Sequence, residues 1–245
     1  MENFKETILN EKHKVVRRGY DVDDEKLFII DLEKMKKAKE IICYLLNNGF
    51  NIKSASMYVT QHYMLNERQR LALARICAKD EEIISRKNKQ VKSLDNKEVY
   101  IDGFNAIIPL ESLLSDSILL KGMDGAIRDL ANLKGSYKII DKTKDAICLL
   151  LQKLDDLNVK KAHIYLDKPI SNSGRLKTLI GILAENYNVE VDIELLYAVD
   201  KALYDKENVI SGDCVVIDES ISWYPLYMDI VNDYAKKHNV WLLEL

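Results

Sequence analysis

Residues 98–105 read EVYIDGFN, a short apolar run that ends in an aspartate, a glycine and an aromatic residue. Apolar runs of this length, bounded by turn-forming residues, are typical of buried strands. Two later runs also end in an aspartate: residues 161–167 (KAHIYLD) and residues 208–213 (NVISGD). The sequence therefore predicts three strands that each deliver a carboxylate at the carboxyl end.

Two further runs complete the predicted sheet. Residues 189–195 (VEVDIEL) alternate apolar and polar side chains, as expected of an edge strand, and residues 240–244 (VWLLE) form a last strand after a helix over residues 227–238. The segment 106–158 is predicted to be helix and loop. Strands alternating with helical crossovers predict an α/β fold, with a doubly wound, mostly parallel five-stranded sheet.

The region before this sheet is predicted to be a small all-α domain. Helical spacing begins at Asp31 and ends at an Asn-Asn-Gly sequence at 47–49, and a second helix covers about 53–63. A third helix starts at Asn66, where Gln69 completes a capping box. The second and third helices form either a helix-turn-helix, with Arg68, Arg70 and Arg75 on a phosphate backbone, or an ordinary helical bundle.

The chain divides into three predicted parts: a polar, loosely attached lead-in at 1–30, the helical domain at 31–96, and the α/β domain at 97–245. The boundary is placed in the polar segment 85–97. Residues 1–97 carry 20 Lys and Arg against 15 Asp and Glu, whereas the remainder carries 16 against 24. This asymmetry indicates either a division of labour or simply solvated helix faces.

Composition excludes several classes of protein. The four cysteines show no paired spacing, so neither a zinc site nor a disulfide framework is expected. The first residues lack the apolar stretch of a secretory signal, and no apolar run is long enough to span a membrane. We expect a soluble, cytoplasmic protein with no membrane partner. The sequence leaves the oligomeric state open, and a homo-oligomer is compatible with it.

The three strand-end carboxylates predict a metal site. Ligands of open parallel sheets bind outside the carboxyl ends of the strands, at the point where the strand order reverses. Asp102, Asp167 and Asp213 would repel one another there unless a cation neutralised them, and their oxygens suit Mg²⁺ or Mn²⁺. The alternative is that each aspartate only caps the helix or turn that follows it.

The motifs resemble those of PIN-like and NYN nucleases. Residues 99–105 (VYIDGFN) resemble their first strand, residues 164–167 (IYLD) their second, and residues 210–213 (ISGD) their Ser/Thr-x-Asp strand end. Over about residues 32–220 the chain is more narrowly similar to an uncharacterised prokaryotic PIN-like family with a helical N-terminal region. The segments that carry this likeness are 68–70, 124–125, 128–129, 135–138, 167–174 and 215–218.

The resemblance implies a metal-dependent endoribonuclease in which Asp102, Asp167 and Asp213 hold Mg²⁺ or Mn²⁺. Asn105 would steady the first loop or bind a metal-bound water, and Ser211 would position Asp213. The family also uses an acid between the first two strands. The candidates for this fourth ligand are Glu111, Asp124 and Asp129, and Asp129 ranks first because it follows Arg128.

Other polar residues are predicted to bind the RNA. Ser171, Ser173 and Arg175 form either a phosphate cradle or a helix cap with a solvated arginine. The remaining candidates are Arg128, Arg68 and Arg70. Besides a ribonuclease, two alternatives stay open: a non-catalytic nucleic-acid-binding or regulatory module on a degenerate PIN-like fold, and an enzyme that acts on a small nucleotide.

Overall fold

A computed structural model of the protein describes residues 9, 11, 13–131 and 135–245. After a π-helical turn at Lys26–Ile30, the N-terminal region contains four helices, of which the sequence predicted the first three. They are α1 (Leu32–Asn47), α2 (Ile52–His62), α3 (Glu67–Ile76) and α4 (Asp80–Asn88). The capping box at the start of α3 is confirmed, since Asn66 accepts from the Gln69 backbone N–H and the Gln69 side chain accepts from that of Asn66.

The main sheet has four parallel strands. They are β1 (Glu98–Asp102), β4 (Lys161–Asp167), β5 (Glu190–Leu196) and β6 (Val209–Ile210), in the spatial order β5–β4–β1–β6. The chain moves outward from β1 through β4 to β5 and then returns to the other side of β1. The strand order therefore reverses between β1 and β6, and a ligand site is expected at their carboxyl ends.

The predicted fifth strand does not join the main sheet. A separate three-stranded sheet contains β2 (Leu119–Lys121), β3 (Ile127–Arg128) and β7 (Leu242–Leu243), in the order β3–β2–β7. β7, which lies within the predicted strand at 240–244, pairs in parallel with β2 instead. The prediction was wrong on this point because an apolar run specifies a strand without specifying its partner.

Six helices cover the main sheet or follow its strands. They are α5 (Gly103–Leu113), α6 (Thr143–Asp156), α7 (Ser173–Ala184), α8 (Val199–Leu203), α9 (Cys214–Glu219) and α10 (Leu226–Ala235). α5 begins directly after β1, at Gly103. A Cβ atom there would lie 2.5 Å from Leu166 Cδ2 and 3.0 Å from the Tyr165 carbonyl, so the tight strand-to-helix turn requires glycine.

The helical region and the small sheet share one hydrophobic core. Met35 and Ile42 of α1 pack in the same buried cluster as Ile118, Leu120 and Leu243. A second, larger core lies between the main sheet and its helices. The helices are thus packed onto the small sheet of the following region.

The lead-in is firmly attached to the rest of the molecule where the structure describes it. The Arg18 side chain is 7% exposed, and its Nε donates to Glu111 Oε2 at 2.7 Å while Nη2 donates to the Lys138 carbonyl at 2.7 Å. Asp24 is 1% exposed and forms a salt bridge with Arg68. Residues 13–30 therefore contact both the α/β and the helical regions, in contrast to the loose attachment that polarity suggested.

A buried group of charges joins α4 to the β2–β3 hairpin. Asp124 accepts hydrogen bonds from Arg86 (2.9 Å) and from both terminal nitrogens of Arg128 (3.0 and 2.6 Å). Arg86 also pairs with Asp218 on α9 through two contacts of 2.7 Å. Burial raises the pKa of the Asp124 carboxyl, but the bonds and charge of Arg128, with the charge of Arg86, bring it below its ordinary value.

The Asp124→Ala substitution is expected to lower the free energy of unfolding by about 3–5 kcal/mol, because it leaves two buried guanidinium groups without their shared carboxylate. Urea unfolding followed by circular dichroism measures this loss. Glu33→Ala, which removes the carboxylate of an exposed pair with Lys36, is the control and should unfold like the wild type. Equal stability of the two variants would contradict a supporting role for Asp124.

Candidate functional site

Asp102 lies where β1 passes into α5, beside the reversal of strand order. Its carboxylate caps α5: Oδ1 accepts the Asn105 backbone N–H at 3.2 Å and Oδ2 accepts the Asn105 side-chain amide. Ser211, which follows β6, places its Oγ 3.5 Å from Asp102 Oδ2. The Asp102 side chain is only 2% exposed, so a buried carboxylate sits at the switch point with two neutral polar neighbours.

Burial raises the pKa of Asp102 to about 7. The hydrogen bonds from Asn105 oppose this shift, whereas the negative charges of Asp200 and Asp167 add to it. A carboxylic acid with this pKa changes its charge around neutral pH, which is uncommon outside functional sites.

Three more carboxylates lie around the same edge of the sheet. Asp167 ends β4 and accepts the backbone N–H of Val199; burial and then the charge of Asp200 raise its pKa. Asp200 lies on α8, after β5, and its pKa is raised by burial and by the charge of Asp213. Asp213 caps α9, accepting the N–H groups of the two residues after Cys214. These four acids therefore form one electrostatically coupled group.

The four acids have no direct cationic partner among the described residues. None of them forms a salt bridge there, and the charges that raise their pKa values come from other acids of the same group. Within the same residues, no three His, Cys, Asp or Glu side chains converge closely enough to hold a metal ion as they stand. The oxygen donors thus suit a hard cation in chemistry and charge, without forming a closed cage.

Of the three acids considered for the fourth ligand, two have structural roles. Glu111 is fully buried and is bound by Arg18, Tyr137 and Thr143, so it anchors the lead-in. Asp124 pairs with Arg86 and Arg128. Asp129, the first-ranked candidate, lines a cleft together with Asn105 and Asp213, and one of its carboxylate oxygens accepts the Ala131 N–H at 2.7 Å. The additional acid coupled to the group is Asp200.

The residues predicted to cradle a phosphate instead hold parts of the protein together. Ser171 exchanges hydrogen bonds of 2.9 Å with the backbone N–H and carbonyl of Tyr137. Ser173 Oγ donates to the Lys168 carbonyl at 3.3 Å. Arg175 places Nη2 2.6 Å from both carboxylate oxygens of Glu11. All three residues thus have partners within the protein, but none of them forms the expected helix cap, since the N-cap of α7 is Asn172 and has no side-chain cap.

The arginines predicted to hold RNA are also occupied. Arg68 is bound by Asp24 and by the carbonyls of Gly19 and Leu130. Arg70 pairs with Glu67 on its own helix. Arg128 is buried; besides its bonds to Asp124, Nε donates to the Gly212 carbonyl at 2.9 Å and Nη2 contacts Cys214 Sγ at 3.1 Å. These contacts place all three side chains in structural roles.

A cleft of about 250 Å³ opens between the helical region and the sheet edge. Its walls come from α3, from β3 and the residue after it, from the turn between β6 and α9, and from α5. The polar residues that line it are Arg75, Asn105, Arg128, Asp129, Asp213 and Cys214. The cleft therefore brings together the Asp213 carboxylate, the Asn105 side chain that holds Asp102, and the Arg75 guanidinium of the helical region. Burial raises the pKa of the Cys214 thiol, so the thiolate is not favoured there.

Asp200 was not predicted as a site residue, and Arg75 was predicted only as one of the arginines that a helix-turn-helix would place on a phosphate backbone. Asp200 follows β5, as the other acids follow their strands, but three residues separate it from the last strand residue, Leu196. Because of this separation, Asp200 does not show the strand-end pattern by which the other three aspartates were identified. Arg75 lies on a helix of the other region, and no local signal links it to the sheet.

Comparison with known proteins gives family matches for both regions. The model of the domain of unknown function DUF5616 matches residues 91–229, and that of a protein of unknown function, DUF434, matches residues 34–89. The uncharacterized protein MJ0935 of Methanocaldococcus jannaschii is 35% identical over 206 residues, which cover 83% of this chain and 99% of that protein. No solved structure matches the chain. Neither family description names an activity, so the likeness to PIN-like nucleases stays a prediction. No described helix has the length and apolar character needed to cross a bilayer.

The raised pKa of Asp102 predicts a specific dependence of stability on pH. Its folded-state pKa of about 7 exceeds the ordinary aspartate pKa of 3.8, so its contribution to stability is present at low pH and is lost as the pH rises through about 7. Asp102→Asn keeps the helix cap and removes the titration. Relative to the wild type, this variant should gain free energy of unfolding, on the order of 4 kcal/mol, between about pH 4 and pH 8.

Urea unfolding at a series of pH values tests this expectation. Asp192→Asn, which changes an exposed aspartate in the middle of β5, is the matched control and should show no comparable gain. If the stabilities of wild type and Asp102→Asn run parallel across the series, Asp102 does not titrate near neutrality.

Proposed function

The chain belongs to the DUF5616 family, whose description assigns no activity, and from the geometry of its sheet edge we propose that it is a metal-dependent ribonuclease. The observation that carries the proposal is the group of four coupled carboxylates around the strand-order reversal, none of which forms a salt bridge among the described residues. Carboxylates remain together at such an edge most readily when a bound cation offsets their repulsion.

Mg²⁺ or Mn²⁺ fits the donor chemistry of this edge. All four acids offer hard oxygen ligands, and Mg²⁺ commonly keeps several waters while one or two carboxylates bind it. A converging trio of side chains is therefore not required. Asp102 and Asp213, on the two sides of the strand-order reversal, are the residues that would hold the ion, with Asp167 and Asp200 adding negative charge nearby. Such an ion polarises a phosphodiester and lowers the pKa of bound water.

The chain's own residues would orient the reacting groups. Asn105 holds both oxygens of the Asp102 carboxylate, through its backbone N–H and its side-chain amide, and so fixes the plane of that group. Asp213 uses Oδ1 to cap α9, which leaves Oδ2 without a hydrogen bond among the described residues. Asp200 is exposed and Asp167 half-buried, so both can exchange protons with solvent.

RNA as the substrate rests on the resemblance to PIN-like and NYN nucleases, with the cleft as the place where a strand would bind. A second candidate function is a non-catalytic nucleic-acid-binding or regulatory module. The absence of a converging metal-ligand trio among the described residues favours this alternative. A cytoplasmic location and assembly into a homo-oligomer are compatible with either function.

We expect cleavage of labelled single-stranded RNA with Mn²⁺ or Mg²⁺ and none with EDTA. Asp102→Asn and Asp213→Asn should each lower the rate by at least about 100-fold, because they remove charge from the atoms that would hold the metal. Asp192→Asn makes the same chemical change in the middle of β5, away from the carboxyl ends of the strands, and should cut like the wild type. Gel analysis of the products, with labelled DNA in parallel, measures the rates.

The outcomes separate the two functions. Cleavage that survives in Asp102→Asn, or that persists in EDTA, would count against the metal-dependent site at this edge. If the wild type binds RNA without cutting it under any metal condition, the non-catalytic module replaces the nuclease as the better account.

A further inference from the structure

The cleft between α3 and the turn after β6 contains an arginine without a carboxylate partner. Six arginines pair with a carboxylate: Arg18, Arg68, Arg70, Arg86, Arg128 and Arg175. Arg17 and Arg75 have no such partner among the described residues. Arg17 donates to the carbonyls of Ser115 and Asp116 and lies over the Tyr20 ring, away from the cleft, whereas Arg75 donates from Nη1 to the backbone carbonyl of Asp129. Since a guanidinium carries five N–H donors, most of its bonding capacity remains for a ligand.

We propose that Arg75 binds the phosphate of one nucleotide of a single-stranded RNA in this cleft, so that the helical region supplies part of the substrate site. This inference rests on the proposed function, because it takes RNA as the ligand, but it concerns binding rather than cleavage. Arginine suits a phosphate because its planar fork donates two parallel hydrogen bonds to two phosphate oxygens.

The position of Arg75 supports a phosphate next to the carboxylate edge. Asn105 and Asp213 line the same cleft, and Asn105 holds Asp102. The cleft thus presents a cation on its helical side and a carboxylate on its sheet side. A ligand that fits both sides has an anionic group next to Arg75 and a bound cation next to Asp213. A phosphodiester with a divalent ion meets both requirements.

The size and lining of the cleft favour a single strand over a duplex. Its volume of about 250 Å³ lies just below the range of about 300–1,000 Å³ for pockets that enclose drug-sized ligands. That space admits about one nucleotide unit. Pro109 and Ile127 give the wall an apolar part against which a ribose or base can pack. A duplex would need a wide, open groove instead.

The test compares RNA binding by three variants, each made on the Asp102→Asn background so that the RNA stays intact. Fluorescence anisotropy with a short labelled single-stranded RNA of mixed sequence, in Mg²⁺, gives the dissociation constant at several salt concentrations. Arg75→Gln removes the fork, and Arg75→Lys keeps the charge without it. Lys87→Gln removes the same charge from an exposed position on α4, outside the cleft.

Arg75→Gln should raise the dissociation constant at least about tenfold, as expected for the loss of a charge-assisted pair of hydrogen bonds. The slope of log K against log salt should become shallower by about 0.7, the value for one phosphate contact on a single strand. Arg75→Lys should bind with intermediate affinity and keep the slope. Lys87→Gln should leave both quantities unchanged.

The experiments distinguish a failure of phosphate binding by Arg75 from a failure of the proposed nuclease function. If Arg75→Gln binds like Lys87→Gln, or if the protein binds no RNA, the Arg75 site is overturned, whatever the cleavage assay shows. If Arg75→Gln weakens binding and flattens the salt slope although the wild type cuts no RNA under any metal condition, the phosphate site stands and the proposed cleavage centre falls. Thermal unfolding of each double variant near the temperature of Asp102→Asn alone establishes that a change in binding is not a loss of folding.

Discussion

The sharing of one buried carboxylate by two arginines is the interaction on which the rest of the arrangement depends. Asp124, in the β2–β3 turn, binds Arg86 from the helical region and Arg128 from β3. Arg128 in turn donates to the Gly212 carbonyl, directly before Asp213. A chain of hydrogen bonds therefore runs from α4, through the hairpin, to the turn that positions one acid of the candidate site.

The buried group of Arg86, Arg128, Asp124 and Asp218 is close to neutral in charge, and it is tightly packed against two glycines. Two guanidinium groups face the carboxylates of Asp124 and Asp218, which limits the cost of burying charge. A Cβ atom at position 122 would lie 1.8 Å from a nitrogen of Arg128, and one at Gly212 would lie 2.7 Å from the Ile127 carbonyl. Both glycines thus leave the space through which the hairpin approaches the sheet edge.

Local patterns in the sequence predicted the parts of the fold that local physics determines. Three of the four helices of the N-terminal region follow from apolar spacing and from the cap at Asn66, and the parallel strands of the main sheet follow from apolar runs between helices. The hairpin and the pairing of β7 with β2 were not predicted, since both depend on contacts between residues distant in the chain. Asp200 and Arg75 reach the candidate site by the same kind of tertiary placement, which one sequence without relatives does not reveal.

The pairing of β7 with β2 has a consequence for the order in which the molecule forms. Leu243 completes the core that α1 shares with the small sheet, and Lys39 of α1 also contacts the Leu245 carbonyl. On a ribosome, α1 emerges long before β7. The helices of this region therefore keep part of their apolar face uncovered until β7 has been synthesised. The helical region is consequently a poor candidate for an early, independent folding unit, because its final packing requires β7 to have been synthesised.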